Sequence, residues 1–430
     1  MNDQPQEAAL QRDGLSRLTA EVLAACDALA CQSEVEGGIS RPFLCPTTRQ
    51  VHAFLSAWAT RLGMTTRVDA VGNLRSRLES PVPNAPTLYL GSHLDTVPNA
   101  GKYDGVLGVV LGYALVEALA DQAAELPYAI EVLGFSEEEG VRYGVSFIGS
   151  RALVGTVDDA LLDLTDPEGV RVRDAIGGFG LDLAELAGAE AAPNSLGYFE
   201  IHIEQGPVLQ DLGAEVGVVS AIVGQDRLSL HFTGRASHAG TTPMPLRRDA
   251  LAAAARLIVG AEDLARAAPG LAATVGMIEA RPGAGNVVPG EVTCSLDVRH
   301  ADDAARRVAL DELLALAERE ASARGVEFRA EPRMTERAVP MSAPLRALLH
   351  QAAEEEGLVH PELVSGAGHD AQIMAGRMPA AMLFVRSPNG LSHHPDEQVN
   401  PQDVEAALRV GARFLVRLAE SVRAGAEASA

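Results

Sequence analysis

The chain has 430 residues, of which 47% are hydrophobic and 22% charged, a composition typical of a soluble globular protein with two or three domains. Its 58 acidic residues outnumber its 35 basic residues, and the net charge is −23. This balance argues against nucleic acids and anionic membranes as partners, because both bind basic patches.

The N-terminus and the cysteines favour a cytoplasmic protein. The first 14 residues are polar and lack the apolar core of a signal peptide. The longest apolar run, around residues 106–116, is shorter than the roughly 20 residues of a membrane span. No CxxC spacing occurs, so we interpret the cysteines as reduced thiols. They are Cys26, Cys31, Cys45 and Cys294.

From about residue 86 to residue 205, segments typical of strands alternate with segments typical of helices. The predicted strands are TLYLGSH, YAIEVLGFS and YFEIHIE, and the predicted helix is GVLGVVLGYALVEALA. Strands separated by helices predict an α/β sheet with helices on both faces. The ligand site of such a sheet lies beyond the carboxyl ends of its strands.

The middle of the chain follows a different pattern. Strand, strand, helix, strand, strand, helix and strand are predicted in that order between residues 214 and 332, which is typical of a self-contained α+β unit. AATVGMIEA is predicted there as one strand. After residue 332, the alternation of strands and helices seen in the first block returns. We therefore predict a discontinuous catalytic domain, residues 1–213 and 333–430, with an inserted domain at 214–332.

Polar groups follow three of the predicted strands of the first block. His93 and Asp95 follow TLYLGSH, an acidic run follows YAIEVLGFS, and His202 lies at the end of YFEIHIE. Imidazole and carboxylate ligands suit Zn²⁺, or Mn²⁺ and Co²⁺ in its place. Five such ligands are too many for one open zinc site but suit two metals that share a bridging carboxylate. The five candidate ligands are His93, Asp104, Glu139, His202 and His393.

Two further carboxylates have predicted supporting roles. Asp95, two residues after His93, is placed to accept the second imidazole N–H and fix its tautomer. Glu138 and Glu139 are adjacent and point in different directions, so one can bind metal while the other transfers a proton.

Each of these features also has a structural interpretation. A single histidine at a strand end is commonly structural, SEEEG could be a solvated acidic turn, and SHH at 392–394 could be a polar turn. GVLGVVLG lacks the GxGxxG spacing of a nucleotide site and indicates close helix packing. No GxSxG nucleophile motif occurs. The coincidence of all the polar groups at strand ends of one domain favours the metal site.

Seven motifs in order resemble the hydantoinase/carbamoylase type of metal-dependent amidohydrolase, a branch of the two-zinc exopeptidases and deacylases. The resemblance covers about residues 70–420. The motifs are GSHLDTVPNAGKYDG, SEEEG…FIGSRALVG, HIEQGPVL, GRASHAGTTPM, NVVPGEV…DVR, SGAGHDA and GLSHHPDE.

The resemblance implies a role for each candidate ligand. His93 and His202 would hold one metal ion, Glu139 and His393 the other, and Asp104 would bridge them. Glu138 would be the general base. The SHxPxE pattern favours His393 over His394 as the ligand. The histidine of HIEQG, where peptidase relatives usually have a carboxylate, implies ureido or amidine C–N bonds rather than peptides.

The resemblance implies a mixed-sheet α/β catalytic domain like that of the zinc exopeptidases. For the inserted α+β domain, it implies lid closure, dimerisation and substrate binding. Arg299 would clamp a substrate carboxylate, Asn286 would bind an amide or ureido group, and His238 would hold the developing oxyanion, often across the dimer interface. The implied substrate-binding residues are Gln225, His238, Asn286 and Arg299, joined by Gly368 from the catalytic domain.

We therefore expect a cytoplasmic, homodimeric enzyme with two divalent metal ions per subunit that hydrolyses allantoate or an N-carbamoyl-L-amino acid. One alternative is an aminoacylase or dipeptidase of the same clan, against which His202 argues. Another is a non-catalytic binding protein, against which the full set of ligands and base argues. The N-terminal stretch EGGISRPFLCPTTRQVHAFLSAWATRLG departs from the entry segment of carbamoylases, which puts the substrate in question.

Overall fold

The computed structural model describes residues 4–427, and their contacts divide the chain into two units. Among the described residues, the first unit contains 4–220, 341–363 and 369–427, and the second contains 221–340 and 364–368. The predicted edge at 332/333 falls inside a strand, because the last long strand of the second unit runs on to Glu336. No helix among the described residues is long and apolar enough to cross a membrane.

The elements of the chain up to residue 222 belong mainly to the first unit. They are α1 (Gln4–Ala30), α2 (Thr48–Arg61), β1 (Thr65–Val68), β2 (Leu74–Leu78), β3 (Thr87–His93), α3 (Val106–Ala118), β4 (Ala129–Phe135), α4 (Ile148–Val154), α5 (Asp159–Leu162), α6 (Val172–Gly178), β5 (Ser195–Ile203), α7 (Val208–Asp211) and β6 (Val216–Ile222). Short 3₁₀ helices lie at Ala120–Glu125 and Leu183–Ala189.

The remaining elements form the second unit and then complete the first. The second unit has β7 (Gly224–Thr233), β8 (Ser237–His238), α8 (Ala250–Ala267), β9 (Ala272–Thr274), β10 (Ile278–Arg281), β11 (Val287–Val288), β12 (Glu291–His300), α9 (Asp303–Ser322), β13 (Glu327–Glu336) and β14 (Val339–Pro340). Then follow α10 (Ala343–Glu355), β15 (Glu362–Ser365), α11 (Asp370–Met374), β16 (Ala380–Val385) and α12 (Pro401–Glu427). Two more 3₁₀ helices are Met244–Leu246 and Pro388–Gly390.

The sheet of the first unit is mixed, as the sequence predicts. Its strands lie in the order β1-β2-β4-β3-β5-β16-β6. The four central strands β4, β3, β5 and β16 are parallel, and the strands beyond them pair antiparallel. The predicted strands at β3, β4 and β5 are confirmed. Because parallel strands share one carboxyl edge, the loops after these four strands emerge on the same side of the sheet.

Helix α3 is buried along almost its whole length, which explains its spaced glycines. Residues Val106–Val116 are all buried, so no face of this helix meets solvent. A Cβ built on Gly108 would lie 2.1 Å from the carbonyl oxygen of Ile201 on β5 and 2.9 Å from Ser92 Cβ. The glycine therefore lets α3 pack directly on the strands that carry two of the candidate ligands.

The second unit has its own sheet and core. Its antiparallel sheet has the order β10-β12-β7-β13, with β9 also paired to β12. Alternate residues of β7 and β12 pack against α8 and α9 in one hydrophobic cluster. AATVGMIEA is two strands, not the single one predicted. Thr274 pairs with Asp297 but Ile278 with Cys294, so the chain gains one residue around Gly276, as in a β-bulge.

Gly108→Ala is expected to destabilise the first unit by about 1–3 kcal/mol, because the added methyl group overpacks the α3–β5 contact. The control is Gly177→Ala in α6, where a Cβ meets nothing within 4 Å and helix propensity improves. Chemical denaturation of both variants checks this. Equal stability of the two variants would contradict the packing argument.

Candidate metal centre

The five candidate ligands lie together at the carboxyl edge of the central parallel strands. His93 ends β3, Asp104 follows in the loop before α3, Glu139 follows β4, His202 is the penultimate residue of β5, and His393 lies in the loop after β16. Their ligand atoms form two groups, each within 4.8 Å. The first contains His93, Asp104 and His202, and the second contains Asp104, Glu139 and His393.

Asp104 is the member common to both groups. Its Oδ1 lies 3.2 Å from His202 Nε2 and 3.6 Å from His93 Nε2. Its Oδ2 lies 3.1 Å from His393 Nε2, and that nitrogen is 3.5 Å from Glu139 Oε1. Each oxygen of one buried carboxylate thus faces a different set of imidazoles, which is the arrangement of a bridging ligand.

The hydrogen bonds of two imidazoles fit a metal ion. His93 Nδ1 lies 3.0 Å from the Asp95 carbonyl oxygen, and His202 Nδ1 lies 2.9 Å from the Ile203 carbonyl oxygen. A carbonyl only accepts, so each Nδ1 is the donor and each Nε2 keeps its lone pair in the neutral ring. His202 Nε2 is buried without a hydrogen-bond partner and faces a carboxylate oxygen. Two acceptor atoms facing each other favour a cation between them, and this donor set suits Zn²⁺, Mn²⁺ or Co²⁺.

The electrostatics of the buried groups point the same way. Burial raises the pKa of Glu138 well above its ordinary value and that of Glu139 to about 7, with nearby carboxylates adding to both shifts. Burial alone would raise the pKa of Asp104, but the three imidazoles beside it hold that pKa well below the ordinary value. Several carboxylates that lie close together and are shielded from solvent favour the binding of a cation at this site.

The Asp95 carboxylate does not accept the hydrogen bond from the His93 imidazole that the sequence predicted. Its carboxylate oxygen is 3.6 Å from His93 Nδ1, whereas its backbone carbonyl is the hydrogen-bond acceptor of that ring. The carboxylate instead accepts the backbone N–H groups of Glu138 at 3.0 Å and Glu139 at 3.1 Å. Asp95 therefore orients the imidazole through its main chain and the acidic loop through its side chain.

Two backbone conformations are specific to the site. Gly105 has φ 67°, and a Cβ there would lie 2.5 Å from ring atoms of His93, so only glycine leaves room for the imidazole. His393 is half exposed and has φ 54°, a conformation that non-glycine residues adopt rarely. Strain of this kind is found where a side chain must be held in one direction.

The residues that hold Asp104 were missed by the sequence analysis. Gln205 Nε2 donates to Oδ2 at 3.0 Å, and Ser392 Oγ lies 3.1 Å from the same oxygen. Glu397 accepts the backbone N–H groups of Tyr103 at 2.8 Å and Asp104 at 3.1 Å. All three belong to quoted motifs, HIEQG and SHHPDE, but loop residues carry no periodic signal that would single them out.

Glu200 was also missed, although the sequence contains a signal for it. It lies two residues before His202 on β5, and so on the same face of the strand. It is fully buried and accepts hydrogen bonds from Ser92 Oγ at 2.8 Å and from the Ala371 N–H at 3.0 Å. With His202 and His369 it forms a further group of ligand-type atoms within 4.8 Å. A charged residue inside an otherwise apolar strand marks this position.

In the second unit, His238 and Asn286 are neighbours. Val287 of β11 pairs with His238 of β8, and the Asn286 carbonyl accepts the Ala239 N–H at 2.9 Å. His238 Nδ1 accepts the N–H groups of Gly240 at 3.0 Å and of residue 241 at 3.2 Å. Its proton is therefore on Nε2, which makes the exposed edge of this ring a hydrogen-bond donor.

The other predicted substrate residues also lie in the second unit. Gln225 and Arg299 are paired across β7 and β12, and Gln225 Nε2 donates to Glu336 at 2.6 Å. Arg299 donates to both oxygens of Asp297 at 2.9 Å each and to the Gly366 carbonyl at 2.6 Å. Three of its five N–H groups are thus used, and one remains on each terminal nitrogen. Gly368, expected in the catalytic domain, lies instead with Gly366 in the segment 364–368 of the second unit.

Comparison with known proteins places this geometry in a family. Residues 89–421 match peptidase family M20/M25/M40, and the chain belongs to that family of metal-dependent hydrolases. A probable allantoate deiminase of Oryza sativa subsp. japonica is 36% identical over 92% of this chain and 88% of its own length. An N-carbamoyl-L-amino-acid amidohydrolase of Pseudomonas sp. (strain NS671) is 35% identical over 87% of this chain and 91% of its own.

Solved structures agree with that assignment. A hydantoinase/carbamoylase family amidase from Burkholderia multivorans superposes with a TM-score of 0.87 at 32% identity, covering 93% of this chain and 98% of its own. The predicted resemblance to this type of amidohydrolase is confirmed. The protein is therefore an enzyme, a metal-dependent hydrolase of this family.

Asp95→Asn is expected to weaken metal binding and turnover by about 10–100-fold, because the new amide N–H₂ meets a backbone N–H of Glu138 or Glu139. Asp403→Asn is the matched control, since Asp403 is also buried but pairs with Arg386 rather than with the acidic loop. Metal analysis and thermal melting of both purified variants check this. Full metal content in Asp95→Asn would show that its carboxylate does not organise the site.

Proposed function

We propose that the protein is a two-metal amidohydrolase that cleaves a linear C–N bond of a small ureido carboxylate. Asp104 would bridge two divalent ions, Zn²⁺ or Mn²⁺ or Co²⁺. His93 and His202 would complete one ion's ligands, and Glu139 and His393 the other's. The observation that carries this proposal is that the two Asp104 oxygens face different imidazoles. Oδ1 lies 3.2 Å from His202 Nε2, and Oδ2 lies 3.1 Å from His393 Nε2.

Glu138 is the residue to which we assign proton transfer. It is buried beside the ligands, lies in a group with His93 and Glu139, and has its backbone fixed by Asp95. It would accept a proton from the attacking water and return it to the leaving nitrogen. Bound divalent ions would supply Lewis acidity and lower the pKa of water.

The substrate class rests on relatives and on the second unit. The similar proteins are named for allantoate and for N-carbamoyl-L-amino acids, and both compounds carry a carboxylate and a ureido group. The two remaining N–H groups of Arg299 suit the carboxylate, and the Nε2–H of His238 suits a developing oxyanion. Asn286, Gln225 and Gly368 would complete the substrate contacts.

Assembly and location are further parts of the proposal. We propose a cytoplasmic homodimer in which the second unit acts as lid and dimerisation domain. Light scattering coupled to size-exclusion chromatography tests the dimer, and a mass of about twice the 45.0 kDa chain is expected.

The direct test of the function is ammonia release from metal-replete protein. The panel contains allantoate, several N-carbamoyl-L-amino acids, N-carbamoyl-β-alanine, and N-acyl amino acids and dipeptides for the alternative activities. Turnover of a ureido carboxylate supports the proposal. Hydrolysis confined to N-acyl amino acids or dipeptides, measured as release of the free amino acid, would overturn it.

Glu138→Ala and Glu138→Gln are expected to lose turnover by at least about 100-fold while keeping bound metal, because general acid–base catalysis contributes about 10²–10⁴-fold. Steady-state rates together with metal analysis check this. Wild-type rates in either variant would show that another group moves the proton.

Arg299→Lys is expected to raise KM by about 10–100-fold with a smaller effect on kcat, because an ammonium cannot keep the Asp297 and Gly366 bonds and also bind a carboxylate end-on. Arg227→Lys is the matched control, since Arg227 donates to the same Asp297 at 3.0 Å. Steady-state kinetics of the two variants on one substrate separate them. Equal KM values for the Arg299→Lys and Arg227→Lys variants would show that Arg299 does not bind the substrate.

A further inference from the structure

Arg41 is a buried arginine in the N-terminal segment that departs from the carbamoylase pattern. It is only 2% exposed and lies between α1 and α2. Its Nε donates to the Leu94 carbonyl at 2.6 Å, and its Nη1 donates to the carbonyls of Gln32 at 2.7 Å and Leu29 at 3.2 Å. All three acceptors are main-chain oxygens, so the side chain ties separate stretches of backbone together.

One end of this linkage is the C-terminus of α1. Leu29 is in the last turn of that helix and Gln32 follows it, and the carbonyls at a helix C-terminus carry partial negative charge. Burial lowers the pKa of Arg41, and the negative charge of the Asp95 carboxylate opposes that shift. The helix end and Asp95 together offset part of the penalty of burying this cation.

The other end is the turn that follows the ligand His93. Besides the Leu94 bond, the Arg41 N–H donates to Thr96 Oγ1 at 2.9 Å and the Thr96 N–H donates to the Arg41 carbonyl at 3.1 Å. Arg41 therefore forms hydrogen bonds with residues 94 and 96, the two neighbours of Asp95 in the chain. The Asp95 carbonyl in turn fixes the His93 ring, and its carboxylate holds the Glu138 and Glu139 backbone.

We propose that Arg41 is a positioning residue of the metal centre, which fixes the 94–96 turn and through it the directions of His93, Glu138 and Glu139. The inference rests on the proposed function, because it takes those residues as the metal site. It assigns a role to the N-terminal segment that is separate from any contact with substrate. As a consequence, both metal affinity and turnover would depend on Arg41, although Arg41 contacts neither the substrate nor the atoms that bind metal.

The test compares Arg41→Lys with Arg75→Lys in the full-length holoenzyme. Arg75 is a matched control, being 3% exposed and bonded to Glu131 and the Ala189 carbonyl on another part of the sheet. A single ammonium cannot span the acceptors of Arg41. Competition with a chromophoric chelator, using Mn²⁺ or Zn²⁺ alone as the probe, should show affinity lower by about 10–100-fold in Arg41→Lys. Arg75→Lys should stay within about twofold of wild type even where its melting temperature falls.

Thr96→Val keeps the test decisive if Arg41→Lys does not fold. It removes only the oxygen that accepts the Arg41 N–H, and it preserves side-chain shape in a buried position. A measurable loss of metal affinity is expected, with kcat falling in parallel. Wild-type affinity in a folded Arg41→Lys or Thr96→Val variant would overturn the inference. Failure of the wild-type protein to bind metal would instead overturn the proposed function, so the two failures are distinguishable.

Discussion

A carboxylate that is almost completely buried needs positive charge or hydrogen-bond donors at both of its oxygens, and the two oxygens of Asp104 face imidazoles on two sides. Its Oδ1 looks toward His93 and His202, and its Oδ2 toward His393. This requirement explains why the chain leaves β3 and turns through a glycine-containing loop before α3 begins. It also explains why ligands from four strand ends have to meet at one point, since one side chain must reach both groups.

Two other carboxylates maintain this arrangement by binding main chain. Asp95 accepts two successive N–H groups from the acidic loop after β4, and Glu397 accepts two successive N–H groups at residues 103 and 104. Asp95 and Glu397 therefore each orient a loop that carries candidate ligands. They do so by binding the backbone of that loop, not the ligand side chains. Ser392 lies 3.1 Å from both Glu397 and Asp104, which connects the loop of His393 to Asp104. Positions of ligands in different loops are thus interdependent.

Sequence patterns were sufficient for the parts of the molecule that depend on periodicity and local chemistry. The strands β3, β4 and β5, the close packing of helix α3, and the convergence of the five candidate ligands follow from apolar runs that end in polar residues. Those ligands are His93, Asp104, Glu139, His202 and His393. The type of amidohydrolase followed from the seven motifs. The α+β pattern of the middle block likewise matches the strands and helices of the second unit.

What the sequence left open depends on contacts between distant residues. The acceptor for His93 is the Asp95 main chain, and only the turn at residues 94–96 determines that choice. The alternation of hydrophobic residues around Gly276 is the same for a continuous strand as for a bulge, so the sequence pattern did not predict the bulge. Glu397 and Arg41 act on backbone groups that any residue would offer, so no pattern near those groups identifies their partners.

Electron paramagnetic resonance of the protein loaded with two equivalents of Mn²⁺ per chain tests the central claim, that Asp104 bridges two ions, most directly. Two ions that share a carboxylate are magnetically coupled, so a multiline spectrum of a coupled pair is predicted. A simple six-line spectrum of isolated Mn²⁺ at the same stoichiometry would contradict a bridging Asp104.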